Sequence, residues 1–180
     1  MDKTGGFAMK RLNPEEIVEY FKDEFGEKID DVKIEKRAVG PGKKEFSNIW
    51  LKIDRDLIKK AVNHLCGIQF PHLSVMTGSD EDDHLKVNYH FTLYYGERLK
   101  EISVNISADL PKSDPTIESI CDIIPGALIT ERDVQDMLGV TVKNIPDKRR
   151  IFLPKGFPDG VHPWRKDEKG PQDLVRDMYD

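Results

Sequence analysis

Histidine, cysteine and clustered acids are the residues of this chain that could hold a metal or move a proton. His64, Cys66 and His72 lie close together in the sequence. His64 and Cys66, however, fall two apart on a predicted helix, where side chains point to different faces, and no fourth ligand has a convincing spacing. The run Ser79-Asp80-Glu81-Asp82-Asp83-His84 offers oxygens to a hard cation. Calcium loops alternate their ligands around a central glycine and close on a glutamate; these acids are contiguous between two predicted strands, so the run reads as a solvated turn. Val39-Gly40-Pro41-Gly42-Lys43-Lys44 is glycine-rich and basic. It lacks the Gly-Lys-Ser/Thr ending of a phosphate loop and joins two strands instead of opening a helix. Neither Gly-x-Ser-x-Gly nor His-Glu-x-x-His occurs. Cys66 and Cys121 are the only cysteines and form no Cys-x-x-Cys, which suits a reducing compartment and argues against an iron-sulfur or zinc site built within this chain. The expectation is a chain with no catalytic, cofactor-binding or metal residues of its own. The rival is a stand-alone metal-binding domain using His64, His72, His84, His90 or the acidic turn.

The chemistry that remains is recognition. Arg149, Arg150 and Arg165 carry planar, multi-donor guanidinium groups suited to bidentate carboxylate contacts. Arg132 and Asp136 stand four apart on a predicted helix and are placed to pair, while Glu131 falls in a first turn, where the helix dipole favours a carboxylate. Trp164 beside Arg165 has the makings of an interface anchor. Around them Pro146, Pro154, Pro158 and Pro163 break regular structure, yet Ile151, Phe152, Leu153, Phe157, Val161 and Trp164 carry too much apolar surface for a solvated tail. An extended, apolar, basic segment needs another surface to lie on.

The elements upstream must present that segment. Asn13-Pro14-Glu15-Glu16 opens a helix with Ile17, Phe21 and Phe25 on one face, stopped at Gly26. Val32 and Ile34, then Ile49, Leu51 and Ile53, predict a hairpin around Gly40-Pro41-Gly42. Asp54 caps a second helix with Leu57, Ile58, Ala61 and Leu65 inward, ended at Gly67. Three strands follow: Phe70 to Met76, the unbroken alternation Leu85 to Tyr95, and Ile102 to Ile106 across the turn at Gly96-Glu97. A short helix is expected over Thr116 to Ile123, then a Pro125-Gly126 turn. A last helix is expected with Thr130 as N-cap and Gly139 as its end. The fold class is α+β, an antiparallel sheet covered on one face by helices, with an extended C-terminal arm. Residues 1–128 form the core domain; residues 129–180 form the short helix and docking arm.

Composition sets the limits. Apolar content of 38% and charged content of 34% describe a globular, charge-rich chain. No apolar run approaches the roughly 18 residues of a membrane helix, and the N-terminus shows no signal core, so membrane association must come through partners. Abundant Lys and Glu with few Gln is the composition of a heat-adapted protein. The net charge is -5, but Lys143 to Lys169 holds eight basic residues against four acidic. That distribution argues against nucleic acid and suggests docking on an acidic neighbour.

The stretch Glu131-Arg132-Asp133-Val134-x-Asp136-Met137-Leu138-Gly139, followed by Pro146-Asp147-x-Arg149-Arg150-Ile151-Phe152-Leu153-Pro154 and Phe157-Pro158-Asp159-Gly160-Val161-His162-Pro163-Trp164-Arg165-Lys166-Asp167, resembles the signature of the 30-kDa subunit family of respiratory complex I. The resemblance is dense from Glu131 to Asp167 and looser upstream. It implies a non-catalytic structural and assembly subunit of a cytoplasmic peripheral arm, held against the membrane face by its partners. The implied partners are a large subunit with a NiFe or quinone site, a small iron-sulfur subunit and, indirectly, membrane ion-translocating subunits. Iron-sulfur clusters and a NiFe centre are implied for those partners, none for this chain. By position Glu131, Arg132, Asp136, Arg149, Arg150, Pro154, His162, Pro163, Arg165, Lys166 and Asp167 match the family, and with Trp164 they are the expected partner interface. Asp133 and Leu138 stand where respiratory members carry Glu and Phe, and His162-Pro163-Trp164-Arg165 replaces His-Pro-Leu-Arg. These departures lean toward a ferredoxin-linked membrane-bound NiFe hydrogenase or a sulfur-reducing relative; the alternative is the 30-kDa subunit of a quinone-reducing respiratory complex I.

Overall fold

The computed structural model describes residues 11–40, 44–97 and 100–166. Its first helix, α1 (Pro14–Phe25), begins where the sequence signals it. Asn13 Oδ1 accepts from the Glu16 N–H and the Glu16 carboxylate accepts from the Asn13 N–H, both at 2.8 Å, closing a capping box. Ile17, Val18, Phe21 and Phe25 turn inward. Strands β1 (Ile29–Val39) and β2 (Lys44–Ile53) pair antiparallel; Pro41 and Gly42 of the expected turn lie outside the described residues. Asp54 Oδ1 accepts from the Asp56 N–H at a single 3-10 turn that feeds α2 (Ile58–Ile68). His64 joins the two helices: its ring stacks on Tyr20 at 3.9 Å and Nε2–H donates to the Tyr20 carbonyl at 3.0 Å.

Strands β3 (His72–Asp80), β4 (His84–Leu93) and β5 (Ile102–Pro111) follow as an antiparallel meander. The alternation holds from Leu85 to Leu93, with Leu85, Val87, Tyr89, Phe91 and Leu93 fully buried in one core shared with α1 and α2, and breaks after the strand, where Tyr94 is buried at φ 57 and Tyr95 is exposed. The opposite face carries a polar ladder: Thr77 Oγ1 meets His90 Nε2 at 3.0 Å, His90 Nδ1–H donates to Asn105 Oδ1 at 2.7 Å, and Trp50 lies edge-on to the imidazole. Sheet order is β1-β2-β5-β4-β3. The α+β expectation stands, with one refinement at the centre. β2 and β5 run parallel, Ile49 opposite Val104 and Leu51 opposite Ile106. The helix α2 carries the chain from β2 to the far edge of the sheet, so β3 starts parallel to β2; two reversals then return β5 to the same direction.

The expected helix over Thr116 to Ile123 is a correction. Thr116–Glu118 is strand β6, paired in parallel with β7 (Thr141–Lys143), Ile117 opposite Val142, both buried. β-branched residues after Pro115 favour extended backbone, and the strand that accepts them arrives only after the next helix. That helix, α3, runs Ala127–Leu138 and starts earlier than expected: Gly126 is the N-cap, with no side-chain hydrogen bond, and the Thr130 hydroxyl donates back to the Ala127 carbonyl at 3.1 Å from inside the first turn. α3 rests on β3 through Gly78, where a Cβ would sit 2.4 Å from Leu138 Cδ1. Among the described residues no helix is long and apolar enough to cross a membrane.

Gly139 ends α3 in the left-handed region, φ 71, and a Cβ there would meet the His162 ring at 2.5 Å. Gly139→Ala is expected to lower stability by about 1–2 kcal/mol from the backbone alone and to push His162 off the helix end. Denaturant unfolding checks this, with Gly126→Ala as the control. Gly126 has an ordinary backbone and open space around it, so its change should stay within roughly 0.5 kcal/mol.

Candidate functional site

Downstream of Gly139 the chain lies back along α3, and the residues of the recognised stretch hold it there. The Asp136 carboxylate, buried on α3, accepts from the backbone N–H groups of Ile151 at 2.8 Å and Phe152 at 2.9 Å. One turn earlier on α3, Arg132 donates Nε to the Arg149 carbonyl at 2.7 Å and NH2 to the Arg150 carbonyl at 3.2 Å, and its NH1 lies 3.3 Å from Asp147. Asp147 also takes Arg149 in a fork, 2.9 Å to Nε and 2.7 Å to NH2. The Arg149 side chain, then its backbone N–H, hold the Asp147 carboxyl far below the ordinary aspartate range. Arg150 closes the next loop, donating to the Phe157 carbonyl at 2.8 Å and to Asp159 at 2.6 Å.

Further along, the arm caps the C-terminus of α3. His162 Nδ1–H donates to the Asp136 carbonyl at 3.0 Å and Trp164 N–H to the Met137 carbonyl at 2.9 Å, meeting acceptors that a helix end leaves open. The arm then reaches Asp80 at the tip of β3. One Asp80 oxygen accepts from Lys166 N–H at 3.0 Å and faces Arg165 Nε at 3.9 Å; the other takes Lys112 Nζ at 2.6 Å and the Asp82 N–H at 3.0 Å. Burial alone would raise this carboxyl, whose side chain is 0% exposed, but Lys112 and the two backbone N–H groups bring it below its ordinary value.

The expected interface residues therefore divide. Glu131 is a correction: at 0% exposure it presents no surface to a partner. Its carboxyl accepts from Ser119 Oγ–H at 2.7 Å, Ile120 N–H at 2.8 Å and Cys121 Sγ–H at 3.1 Å, fixing the turn that follows β6. Burial raises the Glu131 carboxyl and pushes the Cys121 thiol up to about 11. Arg132 and Asp136 do not pair with each other, because each is occupied by the arm. Asp167 lies outside the described residues. Pro163 is half-buried, and Arg165 turns toward Asp80. What faces outward is a strip of Arg149 (85% exposed), Phe152 (53%), Pro154, Lys155, Trp164 (44%) and Lys166. Sequence reasoning missed Asp80, whose partners lie far along the chain, and Lys155. It also named Asp147 only by resemblance, although the Asp-x-Arg spacing is itself a signal for that fork.

The candidate metal ligands are not assembled. His64 is sandwiched between helices, His72 lies beside the Tyr95 ring, His84 meets Asp83 and Asp109, and His90 belongs to the polar ladder. Asp80, read from sequence as part of a solvated acidic turn, is the buried anchor of the arm.

The chain is thus an α+β domain whose C-terminal segment is strapped across its last helix by a set of arginines and aspartates. Residues 51–173 match the family of the respiratory-chain NADH dehydrogenase 30 Kd subunit, and the chain belongs to that family. Membrane-bound hydrogenase subunit beta of Pyrococcus furiosus is 35% identical over 130 residues, which cover 71% of this chain and 75% of that protein. Formate hydrogenlyase subunit 5 of Escherichia coli is 37% identical over 134 residues; the match covers 68% of this chain but 23% of that longer protein. In fold, the chain is similar to one chain of the membrane-bound sulfane sulfur reductase, an archaeal respiratory membrane complex, with a TM-score of 0.64 at 17% identity over 92% of this chain and 94% of that one. Relatives of this chain are thus named as subunits of hydrogenase and complex-I-type enzymes.

Proposed function

We propose that this chain is a non-catalytic structural subunit in the cytoplasmic peripheral arm of a complex-I-related, ion-translocating membrane oxidoreductase of the ferredoxin-linked NiFe hydrogenase or sulfur-reducing kind. It docks by its C-terminal arm on the large catalytic subunit, beside the small iron-sulfur subunit, and sits at the membrane face only through those partners. Electron transfer runs through the iron-sulfur and NiFe groups of the partner chains. The contribution of this chain is a fixed surface on which they assemble.

The observation that carries the reading is the division of labour along the arm. Asp136, Asp147, Arg132 and His162 hold it to its own domain and Arg150 closes its outer loop, while Phe152 and Trp164 point away with much of their apolar surface in water. Exposed aromatics on a backbone held rigid from behind are what an interface anchor requires. The similarity to membrane-bound hydrogenase subunit beta supports the hydrogenase side of the family.

The test is to tag the chain, solubilise native membranes in mild detergent and identify by mass spectrometry what accompanies it. A large subunit with terminal Cys-x-x-Cys pairs, together with antiporter-like membrane proteins, is the expected result. A large subunit without those cysteines would move the assignment to quinone or sulfur chemistry. Recovery of the chain alone from the soluble fraction would overturn the docking reading.

A further inference from the structure

Between α3 and the loop that Arg150 closes lies a cleft of about 630 Å³, lined by Arg132, Arg149, Arg150, Leu153, Lys155 and Asp159. Four cations and one fully exposed acid face this space on a chain whose net charge is -5. Two of the cations are fixed in place. Arg132 is pinned by two carbonyls and Asp147, and Arg150 by the Phe157 carbonyl and Asp159. The other two are open: Arg149 is held along one edge only and is 85% exposed, and Lys155 makes no hydrogen bond or ion pair among the described residues. Clustered like charges repel one another, and a cleft that sets four of them around a single acid is complementary to an incoming anion.

We infer that this cleft receives the carboxylate side chains of an acidic segment of the partner subunit. Arg149 and Lys155 are the contacting residues, Arg132 and Arg150 set the field behind them, and Leu153 packs beside the stem of the incoming acid. This rests on the docking reading and deepens it by naming what the partner presents. Aspartates already pair with two of the cations, Asp159 with Arg150 inside the cleft and Asp147 with Arg149 from behind it. They disfavour a multiply charged phosphate chain, whereas a side-chain carboxylate with one charge fits beside them.

The test uses the intact complex, in two parts. A carbodiimide joins a lysine amine to a carboxylate only when they touch, so mass spectrometry after treatment is expected to find Lys155 linked to an Asp or Glu of a partner chain. Lys155→Glu is expected to lower the recovered partner about tenfold at moderate salt, with Lys155→Arg close to wild type. Lys155 makes no hydrogen bond or ion pair among the described residues, so the unfolding midpoint of the purified chain should not change. Linkage of Lys155 to its own Asp159 alone, or full partner recovery with Lys155→Glu, would overturn the cleft while leaving docking in place. Binding of the wild-type chain to anionic phospholipid vesicles, lost in Lys155→Glu, would assign the cleft to lipid headgroups and equally overturn it. If even the wild-type chain purifies alone, docking itself fails, and the inference with it.

Discussion

Glu131→Ala is expected to destabilise the chain by about 3 kcal/mol, although the residue touches neither solvent nor the exposed strip. Its carboxyl is the shared acceptor for the Ser119 hydroxyl, the Ile120 N–H and the Cys121 thiol, all buried. Each donor left without a partner costs roughly 1–3 kcal/mol, and a cavity forms as well, with partial collapse offsetting some of this. Glu131→Gln keeps one acceptor and should cost only about 1 kcal/mol. Burial, first among the causes, raises the wild-type carboxyl above its ordinary 4.5. A raised acid contributes its full stability below the unfolded value and loses it as pH rises through the folded one. The advantage of wild type over the glutamine variant should therefore be largest near pH 4.5 and narrow above it. Urea unfolding followed by tryptophan fluorescence at several pH values checks this, and a constant difference would count against a raised Glu131.

Asp80→Ala should produce a loss of similar size with the opposite pH signature. The carboxylate is buried between Lys112, Arg165 and two backbone N–H groups, and its removal strands the poorly solvated Lys112 ammonium and both N–H groups. Breaking such a set costs about 3 kcal/mol at neutral pH, or roughly 6–12 °C in unfolding midpoint for a chain of this size. Because the folded carboxyl lies below its ordinary 3.8, its contribution is complete above that value and disappears as the solution is acidified further. The difference between wild type and Asp80→Asn should shrink below pH 4. Hydrogen exchange supplies the local readout: the Trp164 and Lys166 amides should lose protection in the variant while those of β4 keep theirs. Unchanged protection at both arm amides would mean that Asp80 does not anchor the arm.

Asp80 also marks the limit of what could be read from the residues alone. In the sequence it stands in a run of acids and looks solvated; its burial follows from Lys112 and Lys166, which only the finished fold brings near. Glu131 is similar, since a first-turn carboxylate and a buried acceptor have the same local signature. Features set by adjacent residues were legible: the Asn13 box, the inward faces of α1 and α2, the β4 alternation and the left-handed Gly139. Features set by distant partners were not. Periodicity records what a strand faces and is silent about which strand lies beside it, so the β2–β5 pairing and the β6–β7 ribbon were hidden. The arm shows both cases at once. Its extended, basic and apolar character was plain, whereas the use of Asp136 and the α3 carbonyls as its moorings was not.

The parallel pairing at the middle of the sheet also bears on how the protein is made. Ser47 to Lys52 pair with β1 at once but find their partners on the inner side only when Ile102 to Ser107 have been synthesised, after α2, β3 and β4. At ribosomal speed that interval lasts roughly 3–10 s. Throughout it α1, β1 and β2 can exist as a half-sheet whose inner edge offers unpaired amides and carbonyls beside Ile49 and Leu51. A strand of a neighbouring nascent chain meets the same hydrogen-bonding pattern that β5 will later fill. The chain is thus most open to misassembly halfway through translation, before the arm from Arg149 to Lys166 has been synthesised.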